Sequence, residues 1–475
     1  MRIPGIREDV VEKLKFMFEP DSVAVVGASR DPEKIGYQCL RNLVEGGYEG
    51  RIYPINPNAS EIMGLKCFPS VLEVPGEIDL ALIVVPAKIA KRAVEDCARK
   101  GVKAIAMITA GFSEIGNKEG EDEIVRICRE NGIPLLGPNI VGIANSWKKC
   151  NASFCQSLPY AGKTAFISQS GALAIALIGW TWLYRVGLSS MASIGNKADV
   201  DFSELILYFG ERDERTNCIA MYIEGLDAGP EFMEACKRVS PKKPLVALKA
   251  GKSERGVAAA ASHTGSLAGA PLIYSAAFKQ CGVIEVNSLI ELFDSALALS
   301  LQPPMLGDFP LIITNGGGAG VCATDAAERY GIPISDTPPD LRESLRKYMP
   351  EFGSPKNPVD ITGMGTADKY EGAIREALAH PGVNGLAVLY CHTAITSPMG
   401  VAEAIYRPYS ELKPQKPIVA AFIGGSECEE ASSWLKERGI PTFPSPERAM
   451  RALSALRAYG KIRERFGGAG AIKRA

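Results

Sequence analysis

Along the chain, short runs of β-branched and apolar residues alternate with stretches whose apolar positions recur at helical spacing. That alternation predicts parallel sheets covered by helices on both faces. Five strands are predicted in the first segment, at 22–29 (SVAVVGAS), 51–57, 80–86, 103–111 and 133–139, each followed by a helical stretch or a turn. This is the plan of a Rossmann-like domain, placed at 1–150. A second domain opens at KTAFISQSG (163–171) and is placed at 151–303. A proline-marked linker, LQPPMLGDFP (301–310), leads into a third, placed at 304–475, that opens at PLIITNGGG (310–318).

The second and third segments repeat one plan. FISQSGAL (166–173) answers to IITNGGGA (312–319), GNKADVDF (195–202) to NPVDITG (357–363), and KPLVALKAG (243–251) to KPIVAAFIGG (416–425). Matching punctuation of this kind predicts two related flavodoxin-like units, although strand–Gly–helix punctuation is common to doubly wound domains in general. The fold class is therefore α/β, with a Rossmann-like domain followed by two flavodoxin-like, doubly wound domains.

Composition narrows the function. Hydrophobic residues make up 46% and charged residues 23% of the 475, as in a folded globular chain rather than a disordered one. Lys plus Arg (53) nearly cancel Asp plus Glu (54), so nothing in the overall balance points to nucleic acid or an anionic membrane. An anionic ligand must then be bound by local geometry. The 12 cysteines form no CxxC pair, which argues against a zinc site or a disulfide framework and favours a reducing cytoplasm. MRIPGIREDVVEKLKF reads as an amphipathic helix and not as a secretory signal. The longest apolar run, Ala172 to Leu183, is too short to span a bilayer and is expected to be a buried helix.

Candidate chemistry begins in the first strand-to-helix turn, VVGASRDPEKIG, with Gly27, Ser29, Lys34 and Gly36. Such a turn aims unsatisfied N–H groups and a helix N-terminus at an anion. GxGxxG is absent, and the second strand ends in Ile55-Asn56-Pro57 where an NAD site has an acid for the ribose. The ligand indicated is a nucleotide phosphate other than NAD; Lys34 adds a charge, although a lone loop lysine is commonly just solvated. Val85-Pro86, Thr109-Ala110-Gly111-Phe112 and Gly137-Pro138-Asn139 end later strands, where ligand crevices lie. Ordinary turn chemistry explains them equally well.

In the second domain, Ser168-Gln169-Ser170-Gly171 joins a strand to an apolar helix, so the N–H groups of Ser170 and Gly171 offer an anion site. The chain has three histidines, His263, His380 and His392. His263 stands among small residues in GVAAAASHTGSLAG (256–269), with few side chains able to hold it in a core. A neutral imidazole that must reach a phosphoryl donor needs such a setting; the alternative is an Ala/Gly linker with an incidental histidine. A phosphorylatable histidine needs a carboxylate on its other ring nitrogen. Glu224, ending the strand CIAMYIEG (218–225), is the best candidate because packing does not explain an acid there. Asp199 and Asp201 are alternatives, although Asp before a helix is usually its cap. His380 reads as a helix cap, and His392 at a strand end carries no assigned role.

Taken together, VVGAS with its Lys-Ile-Gly, the Ser-Gln-Ser-Gly turn, Tyr-Ile-Glu-Gly and Ala-Ser-His-Thr-Gly-Ser-Leu-Ala-Gly resemble the α subunits of ADP-forming acetyl-CoA synthetases, in the succinyl-CoA synthetase superfamily. The resemblance runs over essentially the whole chain in the same domain order, which makes the first domain CoA-binding. It implies acetyl-CoA, phosphate and ADP giving acetate, ATP and CoA, by way of acetyl phosphate and a phosphohistidine at His263 beside Glu224. It further implies phosphate contacts from Ser168, Ser170, Gly171, Thr264 and Gly265, and CoA contacts from Gly27, Ser29, Lys34, Asn56, Val85, Pro86, Thr109 and Asn139. No metal ligand is expected on this chain. The resemblance also implies a separate ATP-grasp β subunit holding ADP or ATP with Mg2+, in an α2β2 assembly, because no ATP-grasp segment follows the third domain. Two other readings stay open, a non-catalytic CoA-sensing protein and an NAD-linked oxidoreductase. His263 argues against the first, and the absent dinucleotide fingerprint against the second.

Overall fold

The computed structural model describes residues 5–253, 255–256 and 271–467. They divide into two compact units at Val286/Asn287.

The first unit opens with two short helices, Glu8–Lys13 and Lys15–Phe18, that bury Val10, Val11, Leu14, Met17 and Phe18, as the amphipathic N-terminus predicts. Its first sheet contains β1 (Ser22–Val26) and β2 (Arg51–Ile55). A small antiparallel hairpin follows, β3 (Glu61–Ile62) with β4 (Leu65–Lys66). The sheet then continues with β5 (Leu80–Ile83), β6 (Ala104–Met107) and β7 (Leu135–Leu136). Its strands are parallel in the order β2-β1-β5-β6-β7. β1, β5 and β6 are buried at every residue, which is why they read as continuous apolar runs and not as alternating ones.

A second antiparallel hairpin, β8 (Gly142–Asn145) and β9 (Cys150–Ser153), joins the second sheet through β8. That sheet continues with β10 (Ala161–Ser168), β11 (Leu188–Ser193), β12 (Cys218–Ile223), β13 (Leu245–Lys249) and β14 (Val283–Val286). Its order is β14-β13-β12-β10-β11-β8-β9. The sheet therefore changes between Leu136 and Gly142, and the hairpin was not visible in the strand pattern because Cys150–Ser153 has no apolar run.

The second unit holds a five-stranded parallel sheet of β15 (Pro310–Thr314), β16 (Val359–Asp360), β17 (Gly385–Cys391), β18 (Ile418–Ile423) and β19 (Thr442–Phe443), ordered β16-β15-β17-β18-β19. Numbered within itself, each of the three parallel strand sets runs 2-1-3-4-5, the flavodoxin-like order. The shared order places a topological switch point, and with it a ligand crevice, at the carboxyl edge of each set.

One expectation is corrected. The helix Gly171–Tyr184 buries Ala174, Leu177, Ile178 and Thr181, while Trp182 is 50% and Leu183 67% exposed. The helix touches its sheet with a single face, and a sequence apolar at every position cannot show which face that is.

Candidate functional site

The carboxyl edge of the first sheet gathers the residues expected to bind CoA. After β1 the chain turns at Gly27, whose φ of +101° and whose approach to the Val84 carbonyl exclude a side chain. The Gly27 N–H donates to the Ile55 carbonyl (3.0 Å), and Asn56 Nδ2 donates to the Ala28 carbonyl (2.8 Å), so the ends of β1 and β2 are tied together. Ser29 Oγ accepts from the Asp31 N–H (3.0 Å) and shapes the loop. Lys34 precedes the helix Ile35–Glu45, mostly exposed and 4.0 Å from Asp31. Thr109 Oγ1, after β6, donates to the Val85 carbonyl after β5 (2.7 Å), and Pro86 precedes the helix Ala87–Lys100. Asn139, exposed in left-handed backbone (φ +61°), donates its N–H to the Thr109 carbonyl (3.0 Å). Ends of all five strands thus contribute to one edge, as a crevice ligand requires.

At the carboxyl edge of the second sheet, Ser170 caps the helix Gly171–Tyr184, its Oγ accepting from the Leu173 N–H (3.4 Å). Ser168 is fully buried and its Oγ donates to the Ser170 carbonyl (2.8 Å). Both hydroxyls therefore shape the turn, and the start of the helix is left to meet an anion through its backbone. Glu224 stands on the same edge, as expected, buried immediately beyond β12. Gln169 Oε1 joins the two places by accepting from the N–H groups of Glu224 (2.8 Å) and Gly225 (3.0 Å). Burial first, and the nearby Glu224 carboxylate second, push the Tyr222 phenol up to about 12. Burial likewise holds the Lys249 ammonium below its ordinary range, with Glu224 opposing that shift. His263, Thr264 and Gly265 lie outside the described residues.

Sequence reasoning missed the residues that join these two edges. The loop after β11 runs along Gly137–Asn139, where Asn196 N–H donates to the Pro138 carbonyl (3.0 Å) and Ala198 N–H to the Gly137 carbonyl (3.1 Å). Asn139 Nδ2 donates to Asn196 Oδ1 (3.2 Å), and Asn196 Nδ2 donates to Glu114 (2.6 Å) and Glu121 (2.9 Å). Burial works against ionised Glu114, but the N–H of Gly111 and the Asn196 amide hold it below the usual carboxylate range. The next residue, Lys197, turns the other way and donates to the Gly225 carbonyl (2.9 Å). Two lysines inside otherwise apolar or turn-forming strings, Lys197 and Lys249, were the available signal. Asp199, the alternative to Glu224, is committed to Arg7, Arg129 (2.8 Å) and the Leu135 N–H (3.2 Å). Asp201 caps the helix Phe202–Leu207 in a capping box with Glu204.

The second unit repeats this turn. Thr314 Oγ1 donates to the Gly316 carbonyl (3.1 Å), as Ser168 does to Ser170, and Asn315 exchanges hydrogen bonds with Cys391 (2.8 and 2.9 Å), as Gln169 meets Glu224. His392 stands beyond β17, at the place Glu224 takes beyond β12, with Nε2 3.4 Å from Glu427. His380 caps the helix Ala367–Ala379 and meets Asp340 at 3.2 Å.

Family models match in three blocks, a CoA-binding domain at 21–146, a succinyl-CoA ligase-like flavodoxin domain at 161–299 and a ligase-CoA domain at 310–465. The chain is 51% identical over 454 residues to the α subunit of acetate–CoA ligase [ADP-forming] I of Pyrococcus furiosus, covering 94% of this chain and 98% of that one. It is 41% identical to an acetate–CoA ligase [ADP-forming] of Methanocaldococcus jannaschii, covering 96% of this chain and 64% of that longer protein. Among solved structures, acetyl-coenzyme A synthetase 1 of Ca. Korarchaeum cryptofilum, in complex with phosphate and ADP, superposes with a TM-score of 0.92 at 45% identity, covering 96% and 99%.

Proposed function

The chain belongs to the ADP-forming acetate–CoA ligase family as an α subunit, and on that premise we propose how its residues divide the work. The observation that carries the reading is the carboxyl edge of the second sheet, where a helix N-terminus, the Ser168–Ser170 turn and the buried Glu224 converge. Phosphate attacks the thioester carbon of acetyl-CoA, the C–S bond breaks, and CoA leaves as the thiol. His263 then takes the phosphoryl group from acetyl phosphate, releasing acetate. The N–H groups of Ser170 and Gly171 complement the phosphoryl charge, as do Thr264 and Gly265, which follow His263 in the sequence, while Ser168 shapes the turn. Glu224 holds the proton on the other imidazole nitrogen.

CoA lies along the first sheet's edge, against Gly27, Ser29, Lys34, Asn56, Val85, Pro86, Thr109 and Asn139. The three segments 1–150, 151–303 and 304–475 act as the CoA-binding domain, the phosphohistidine domain and a second ligase domain. Phosphohistidine passes its group to ADP, held with Mg2+ on a separate ATP-grasp β subunit in an α2β2 assembly. That division is supported by a relative of matching length named as an α subunit and by a longer one that carries additional chain. The cytoplasm is its natural compartment.

Intact mass of the chain incubated with acetyl phosphate, handled at alkaline pH because a histidine phosphoramidate is lost in acid, tests the proposal. An acid-labile phosphoryl adduct mapping to His263 is expected, and His263→Ala should abolish both the adduct and ATP formation while keeping CoA binding. Normal ATP formation by that variant would exclude the phosphohistidine route.

A further inference from the structure

We infer that Gln169, Lys197 and Lys249 are positioning residues for Glu224, an inference that rests on Glu224 being the carboxylate partner of His263. Four main-chain polar groups belong to Glu224 and Gly225, and side chains from three other parts of the second sheet hold all four. Gln169 Oε1 accepts from both N–H groups (2.8 and 3.0 Å). Lys249 Nζ donates to the Glu224 carbonyl (2.8 Å), and Lys197 Nζ donates to the Gly225 carbonyl (2.9 Å). The three residues come from the end of β10, the loop after β11 and the end of β13. The Glu224 turn is therefore fixed from three directions, by side chains.

Burial gives these contacts their meaning. Gln169 is 9%, Lys197 4% and Lys249 2% exposed. Lysine is almost never so buried without a specific partner, because removing an ammonium from water is costly. Lys197 adds a second cost, a left-handed backbone at φ +53°, which a β-carbon disfavours. Two buried ammonium groups converge on one buried dipeptide, Lys197 pairing also with Asp227 (3.1 Å) and Lys249 donating also to the Ala250 carbonyl. They suit a carboxylate that must keep an imidazole in one tautomer and one orientation, where small displacements are felt in the rate. Lys249 is itself held, its ammonium standing 4.7 Å from the Tyr274 ring, and Tyr274 Oη accepts from the Leu226 N–H (3.2 Å).

The test uses the full chain with acetyl phosphate as phosphoryl donor and follows adduct formation against time and donor concentration. Gln169→Met, Lys197→Met and Lys249→Met, made singly, should each lower the maximal loading rate by about 10- to 100-fold, the range for groups that orient a reacting residue. Half-saturating acetyl phosphate and CoA affinity should stay within about twofold, because none of the three residues is placed on either ligand. Each variant is then combined with Glu224→Gln. A residue acting through Glu224 adds no further loss in the double variant, whereas a merely structural one adds its own. Maximal rates near the parent value, additive losses, or failure of all three variants to fold would overturn the inference. An unimpaired Glu224→Gln single variant would instead remove Glu224 from the reaction, which is a different failure.

Discussion

At position 36 a single hydrogen separates a helix from the turn expected to meet CoA. A β-carbon on Gly36 would lie 2.1 Å from the Gly27 carbonyl oxygen, and Gly27 is itself packed so closely that a β-carbon there would lie 2.9 Å from the Val84 carbonyl oxygen. Gly36→Ala must therefore push the Gly27–Ala28 peptide out of place, at a cost of about 1–3 kcal/mol for overpacking. The expected outcome is a lower denaturation midpoint together with weaker CoA binding in a calorimetric titration. Lower stability with unchanged affinity would detach this turn from the ligand. Residues of this kind were legible in the sequence because glycine in a strand-to-helix turn has few other uses. Glu224 was legible for a related reason, as an acid where packing wants none. Lys197 was not, because its burial depends on the Gly225 carbonyl and on Asp227, and a pattern read along the chain does not show that they meet.

Among the elements, the N-terminal helical segment has the contact with the sharpest consequence. Arg7 stands before the first helix and pairs with Asp199 (2.5 Å) and Glu204 (3.1 Å), whose side chains are 1% and 8% exposed. Asp199 keeps Arg129 at 2.8 Å when Arg7 is lost, whereas Glu204 has Arg7 as its one ion-pair partner among the described residues. Breaking a buried pair from one side leaves an uncompensated charge, so Arg7→Met is expected to cost about 3 kcal/mol, the low end for such sites. Urea denaturation monitored by circular dichroism checks this, and a change below about 1 kcal/mol would class the pair with exposed surface ion pairs. The five strands of the first sheet, and several in the later two, were legible as apolar runs because the central strands are buried on both faces, whereas strands such as Leu188–Ser193 and the order of strands in each sheet became visible only in the structure. The hairpin β8–β9 was not legible in this way, since Cys150–Ser153 has the polar Asn151 and Ser153 between small residues and is buried by pairing rather than by composition. The apolar helix Gly171–Tyr184 misled for the opposite reason, being uniform in composition yet covered on one face.

For the molecule as a whole, the division of the chain has a testable position. Read from its proline-marked linker, the third domain begins at residue 304, and the family model for the preceding domain runs to 299. The compact unit instead begins at Asn287 and takes in the helix Leu289–Leu301. The reason is visible in that helix, whose Asp294, 2% exposed, accepts from Arg448 Nε (2.9 Å) and Nη2 (2.7 Å) on the helix Pro446–Phe466 and also pairs with Arg451. Gln302, the residue after it, accepts from the Ile418 N–H (2.9 Å) and donates to the Gly439 carbonyl (2.6 Å), tying the linker to β18 and to the turn before β19. A fragment starting at residue 304 would leave two arginines without their carboxylate and uncover the apolar face that Leu292, Phe293 and Ala296 now bury. The fragment 287–475 should accordingly unfold in one cooperative transition, and the fragment 304–475 should melt well below it or aggregate, as differential scanning calorimetry on the two would record. Equal melting temperatures would place the boundary at the prolines, with the Leu289–Leu301 helix a passenger on the second unit.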